Sequence, residues 1–263
     1  MHDLRVKPGD VMLVPGDLHF GICDLPSFNL MMEAASALKI THAVLQGDTF
    51  ECAGLSSHAK SAARLVEGGL LLSKEIDQAS QPLHDLLRLC KGRGVAMPGN
   101  HEERINRFVD ESPAWHGMRW HDVFAPALKG WTCLESGDAV KAGRVSIFHG
   151  HTLAGMRMGG GVTPAKTVLT QYPGQHTIFG HTHRRDCYTR PTWKDQRKVA
   201  HGAWNVGHMQ DERHAGWAGD QAWEQSFAIV HFHDGDLFDV SLARYVRDRR
   251  NRASVLIAGR VFR

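Results

Sequence analysis

The 263-residue sequence predicts an α/β layered fold. Three observations carry that expectation. Short apolar runs recur, each broken off by Gly and a polar residue. Helical stretches separate the first of these runs, so strand and helix alternate to about residue 112. Beyond that point the chain is richer in strand patterns. Runs of this length, rich in Val and Ile and bounded by Gly, read as buried strands.

Taken in order, the elements begin with a strand in "VMLVPGD" (11–17). The stretch "FNLMMEAASALK" (28–39) has apolar residues near 3.6 spacing, with Ser27 as its N-cap. A second strand follows in "HAVLQGD" (42–48). The segments 58–80 and 82–94 read as two helices, the first weakened at Gly68-Gly69 and the second opening on Pro82. A third strand lies in "GVAMPGN" (94–100), and a helix in "EERINRFVDES" (102–112). "RVSIFHG" (144–150) and "TIFGH" (177–181) supply the fourth and fifth strands. Residues 226–246 alternate around Asp234-Gly235-Asp236, a hairpin pattern. No linker or repeat interrupts the chain, so a single domain spanning 1–263 is expected, its basic end 244–263 included.

Apolar residues at 42% and charged residues at 22% are ordinary proportions, whereas 18 His and 7 Trp are high counts. The net charge of +3 conceals an asymmetry: residues 244–263 hold seven Arg and one Asp. The remainder is slightly acidic, so the chain lacks a general nucleic-acid footprint and has one basic end. That end, "RASVLIAGRVFR", reads as a last strand with Arg on its solvent face; a nucleic-acid-binding segment is the alternative. The five Cys are scattered without a C-x-x-C pair, against both a disulfide framework and a Cys-ligated zinc site. No run approaches 18 apolar residues and the N-terminus has no apolar leader, so a cytoplasmic protein without membrane attachment is expected.

The strand ends hold the chemistry. They offer Asp17-Leu18-His19, Gly47-Asp48, Gly99-Asn100-His101-Glu102, His149-Gly150-His151 and Gly180-His181-Thr182-His183. Ligands gather outside the carboxyl ends of strands in α/β sheets, and ends carrying Asp, Asn and His suit a metal site at one sheet edge. In D-x-H and H-x-H, residues i and i+2 of an unravelling strand can turn the same way. Gly precedes Asp17, Asp48, Asn100 and His181, where a Cβ would obstruct a close approach. Any one piece arises by accident in a chain with 18 His; all five in order after apolar runs is a strong signal.

With these residues in hand, the chain resembles the calcineurin-like metallophosphoesterases, whose pattern is D-x-H, G-D, G-N-H-[DE], an isolated His and G-H-x-H. "LSSHAK" (55–60), "GNHEERINRF" (99–108) and the late "SFAIVHF" resemble a subgroup encoded in phage and prophage genomes. The resemblance implies a four-layer αββα sandwich of two mixed sheets flanked by helices, with a dinuclear site at the sheet edge. Asp17, His19 and His183 would hold one ion and Asn100, His149 and His181 the other, with Asp48 bridging. Mn is the first expectation for the two divalent or trivalent ions, with Fe, Zn or Ni as alternatives. His101 would serve the leaving oxygen, Glu102 would orient His101, and His151, Arg104, Arg184 and Arg185 would meet substrate beside Asn100.

The implied activity is hydrolysis of a phosphodiester, with nucleic acid or a nucleotide as a possible substrate. A phosphomonoesterase is the alternative. Protein phosphatases of this superfamily carry G-D-x-V-D-R-G at the second block, where this chain has "GDTFECAG" and lacks the dianion-gripping Arg. A scaffold that has lost catalysis is disfavoured because no ligand position is substituted.

Overall fold

The computed structural model describes residues 1–56, 71–154, 162–194, 197–214, 222–234 and 236–263. The chain opens with β1 (His2–Leu4) and β2 (Val11–Pro15), then α1 (Leu25–Ala37) and β3 (His42–Leu45). Next come α2 (Leu72–Leu89), β4 (Gly94–Ala96), α3 (Glu103–Asp110), the short α4 (Trp120–Val123) and β5 (Thr132–Cys133). The strands β6 (Val140–Ala142) and β7 (Val145–Phe148) precede α5 (Pro164–Gln171) and β8 (His176–Phe179). The remainder is β9 (Arg185–Lys194), β10 (Arg197–Val206), β11 (Phe227–Phe232), β12 (Phe238–Leu242), β13 (Arg244–Arg247), β14 (Ala253–Ile257) and β15 (Arg260–Phe262).

The fold is α/β, built on two mixed six-stranded sheets ordered β1-β6-β7-β8-β10-β9 and β12-β11-β2-β3-β4-β5, with a separate three-stranded sheet β13-β14-β15. The first five predicted strands are all present, three adjacent and parallel in one sheet and two adjacent and parallel in the other. The motif strands are largely buried, β2, β3 and β4 along their whole length. In β2, Met12 and Val14 join Val140, Ile147, Ile178 and Val206 of the other sheet in one apolar cluster. Val11 and Leu13, pointing the opposite way, join Phe28, Met31 and Ala34 of α1. On the far side of the β7–β8 sheet, Phe179 and Ala203 meet Ala165, Val168 and Leu169 of α5.

Several boundaries differ from expectation. Helix α1 starts at Leu25 with Asp24 as its cap, the carboxylate accepting from the Ser27 backbone N–H at 3.4 Å and from Ser27 Oγ at 2.8 Å. Ser27 is thus inside the first turn. Pro82 does not open a second helix: α2 runs through it, because Glu75, Ala79, Leu83 and Leu86 keep one buried face across the break. The proline costs one backbone hydrogen bond, and the continuous face outweighs that loss. The N-terminal part of the predicted helix 58–80 lies outside the described residues, as do His58 and Trp217.

The hairpin of β11 and β12 forms in the expected register, with Phe232 opposite Phe238. The basic end makes three strands rather than one, with Val255 and Ile257 buried and most of its Arg exposed. No helix among the described residues is long and apolar enough to cross a membrane.

Candidate metal centre

The five motif strands come from two sheets, so the site sits where the carboxyl ends of β2, β3 and β4 meet those of β7 and β8. The expected single sheet edge is therefore a junction of two. Beyond these ends the backbone turns abruptly. His19, Asp48, His181 and His183 all adopt positive φ, at 48°, 47°, 70° and 58°. Non-glycine residues are uncommon there, and the strain persists only where surrounding structure enforces it. Glycine explains how the loops close together: a Cβ on Gly99 would lie 2.2 Å from Asp48 Oδ1, and one on Gly180 would lie 2.2 Å from Asp17 Oδ1.

Three groups of candidate ligating atoms converge; Asp48 joins two of them, and His19 links the first of these to a third made with Glu51 and His101. Asp17, His19, Asp48 and His183 form the first group, and Asp48, His149 and His181 the second, each with its ligand atoms within 4.8 Å of one another. His19 Nε2 and His183 Nε2 are 3.1 Å apart, and His183 Nε2 is 3.3 Å from Asp17 Oδ2. In the second group His149 Nε2 lies 3.2 Å from Asp48 Oδ2 and 3.0 Å from Asn100 Oδ1. Donors bound to a common ion at about 2.1 Å sit roughly 3.0–3.4 Å from each other, so these separations fit coordination. The sequence-predicted ligands Asp17, His19, Asp48, Asn100, His149, His181 and His183 are thus brought together, and these buried Asp and His groups can hold metal ions.

The remaining ring nitrogens are also fixed. His19 Nδ1 is 2.8 Å from Glu51 Oε2, His149 Nδ1 is 3.2 Å from Gln46 Oε1, and His183 Nδ1 meets the Gln210 amide at 2.9 Å. Partners of this kind set the ring orientation of a ligating histidine. Gln46 also donates to Asp17 Oδ1, so one amide orients a ligand of each group that Asp48 joins. Gln46, Gln210, the buried His208 and Trp223, whose ring lies 4.3 Å from that of His183, were not flagged by the sequence. Only Gln46 carried a signal, its position just before Gly47-Asp48.

The electrostatics favour cations. Burial opposes ionisation of Asp17, yet the His183 hydrogen bond and the His149 charge hold its carboxyl below the ordinary value. Asp48 is also buried, and His149 and His101 hold it well below. Two buried carboxylates thus stay anionic and need positive charge. Against the penalty of burial, Asp48 raises both His149 and His101 to about 9, so protons on these imidazoles supply that charge. Burial and the His149 charge depress His181 to about 4, leaving it neutral and open to coordination.

Around this core the other predicted residues are distributed unevenly. His101 faces it: its Nδ1 is 2.7 Å from the Glu51 carbonyl oxygen and its Nε2 is 3.9 Å from Asp48 Oδ2. Glu102 does not orient His101. Its carboxylate accepts from the backbone N–H groups of Asp48 at 3.1 Å, Phe50 at 2.8 Å and Gly99 at 2.8 Å, clamping two ligand loops together. The carboxylate beside His101 is Glu51, at 3.4 Å. His151 Nε2 is 3.1 Å from Glu103 Oε1, and its ring is 5.2 Å from that of His149. Arg104 donates to the carbonyl oxygens of Glu51 and Cys52, while Arg185 donates to Glu224. Arg184, half-buried, follows His183 directly.

No protein-family model matches the chain, and no curated protein matches it.

Proposed function

We propose that the chain is a metal-dependent phosphoesterase of the calcineurin-like kind, hydrolysing a phosphodiester. The observation that carries this reading is the membership of Asp48 in two of the ligand groups, the arrangement a dinuclear centre requires. Asp17, His19 and His183 would hold one ion, and Asn100, His149 and His181 the other. The mixed oxygen and imidazole donors suit Mn first, then Fe, Zn or Ni. The four-layer αββα arrangement belongs to the same proposal; the apolar clusters between the sheets and on their outer faces support it. When bound, such a pair supplies Lewis acidity toward phosphate oxygens and water that is acidic at neutral pH.

The chain's own residues do the rest. Asn100 and His149 fix the phosphate's position from one side, and Gln46 and Gln210 keep the ligating rings from rotating. His101, its Nδ1 held by the Glu51 carbonyl, presents Nε2 to the reaction side and gives a proton to the departing oxygen. Asp48, and after it Glu51, hold His101 protonated, and Glu51 is itself kept ionised, since hydrogen bonds from His101 and His19 overcome its burial. Glu102 sets the distance between the Asp48 and Asn100 loops.

The test compares Mn-loaded protein on bis(p-nitrophenyl) phosphate and p-nitrophenyl phosphate, with Asp48→Ala as the blank. Preference for the diester, lost by at least about a hundredfold in the variant, is the expected result. Preference for the monoester moves the reading to a phosphomonoesterase. Activity that survives both Asp48→Ala and His101→Ala overturns it.

A further inference from the structure

A groove of about 460 Å³ runs from Asn100 along one face of α3, lined by Gly54, Leu55, Ser56, Arg104, Arg107, Phe108 and Glu111. Residues 104, 107, 108 and 111 follow helical spacing, so the helix presents two guanidinium groups and then an aromatic ring on a single face leading away from the site. Arg107 has no side-chain hydrogen bond or ion pair with any described residue and is exposed. Phe108 is 43% exposed, and edge-to-face against it, with centroids 6.3 Å apart, stands Trp115 at 46% exposure. Trp120 and Trp131 are buried, and Trp204 and Trp223 are half-buried, so Trp115 is the exposed tryptophan among the described side chains.

Beside the unpaired Arg107 guanidinium, both rings keep nearly half of their surface in contact with water. Burying them would release about 1.5–3 kcal/mol each, which the fold forgoes. A flat apolar face next to a free guanidinium matches a nucleobase next to a phosphate. From Arg104 to Phe108 the helix rises about 6 Å, a span one nucleoside covers. We infer that the α3 face is a subsite for single-stranded nucleic acid, in which Phe108 and Trp115, their planes 61° apart, each stack one base and Arg107 meets the phosphate beside Phe108. Duplex does not fit, because a base paired within a helix cannot offer its face to the rings. Glu111 closes the far end, where its carboxylate repels further phosphate. The inference rests on the phosphodiesterase reading, since it places the strand's scissile phosphate at Asn100.

The experiment measures anisotropy of a fluorescein-labelled oligothymidylate in EDTA, single-stranded or annealed to oligoadenylate, with the full chain and its Phe108→Ala, Trp115→Ala, Phe108→Trp and Arg107→Ala variants. The single strand binds more tightly than the duplex, and each alanine at an aromatic position weakens it about tenfold, as loss of one stacked base requires. Phe108→Trp restores binding, and Arg107→Ala reduces the salt slope by about 0.7. Both rings are exposed, so these truncations leave the core filled, which a thermal melt verifies. No binding of the single strand, equal binding of duplex, or alanine variants indistinguishable from the parent overturns the inference. If the Mn-loaded parent still hydrolyses bis(p-nitrophenyl) phosphate, that failure leaves the phosphodiesterase reading standing. Single-strand binding as described, with no diester turnover, instead sinks the enzymatic reading and keeps the subsite.

Discussion

At the scale of single residues, the site depends on backbone approach as much as on donor atoms. Gly99 and Gly180 let two loops pass within contact of the Asp48 and Asp17 carboxylates, distances at which no Cβ fits. Gly99→Ala and Gly180→Ala are each expected to cut metal uptake severalfold and to lower stability by about 1–3 kcal/mol through overpacking. Metal analysis beside a denaturant melt checks both. Glu102 Oε2 accepts from the Asp48 and Gly99 N–H groups and Oε1 from Phe50, so Glu102→Gln, which replaces one of these oxygens by a donor, should cost about 1–3 kcal/mol. Protonation supplies a further prediction. His149 sits near 9 without a metal, so an ion taking its Nε2 must displace a proton at neutral pH. Mn²⁺ affinity should therefore fall as pH is lowered from about 9, and titration calorimetry in buffers of different ionisation heat should record proton release at pH 7. Binding that is flat with pH would contradict it.

The clustering of these Asp and His residues was legible because they stand at the ends of apolar runs, Asp17, Asp48 and His181 directly after a glycine, and because i and i+2 donors share a side when a strand ends. The partners of those ligands were mostly hidden. Gln210 lies in a connection after β10 and reaches His183 only through the tertiary fold, with no motif around it. Glu102 was misread for a similar reason: its neighbour in sequence is His101, but its hydrogen bonds go to Asp48, Phe50 and Gly99.

At the scale of elements, α2 shows how packing overrides local signals. Pro82 and the split apolar pattern suggested two helices, whereas the face formed by Glu75, Ala79, Leu83 and Leu86 makes one. Pro82→Ala should restore the missing backbone bond and raise stability by about 1–3 kcal/mol in urea unfolding. Glu75 on the same helix is fully buried: one carboxylate oxygen accepts from the Cys52 N–H at 2.9 Å, and the other has no hydrogen-bond partner among the described residues. Burial, with the charges of Glu51 and Glu102, pushes its carboxyl from 4.5 up to about 7. Between those values the folded state holds a proton the unfolded chain has released, so stability declines as pH rises through this window, by up to about 3 kcal/mol. Glu75→Gln should flatten that decline in melts from pH 5 to 7.5; an unchanged slope would place the titration elsewhere.

At the scale of the molecule, two sheets converge so that three strand ends of one face two of the other, and the basic end closes over α1. Val255 and Ile257 of β14 enter the α1 cluster, and Arg247 pairs with Asp24 at the helix cap, where Ser27 and Gln225 join the network. The strand reading of this end was accessible from its alternation; its three-stranded form depended on turns that alternation does not encode. The convergence of the sheets was likewise invisible in local pattern, since strand order is set by which faces bury one another.

The most direct test of the centre is anomalous scattering from crystals soaked with Mn²⁺. A dinuclear site predicts two peaks about 3.5–4 Å apart on either side of Asp48, one bounded by Asp17, His19 and His183 and the other by Asn100, His149 and His181. A single peak, or peaks that leave Asp48 unshared, would contradict it.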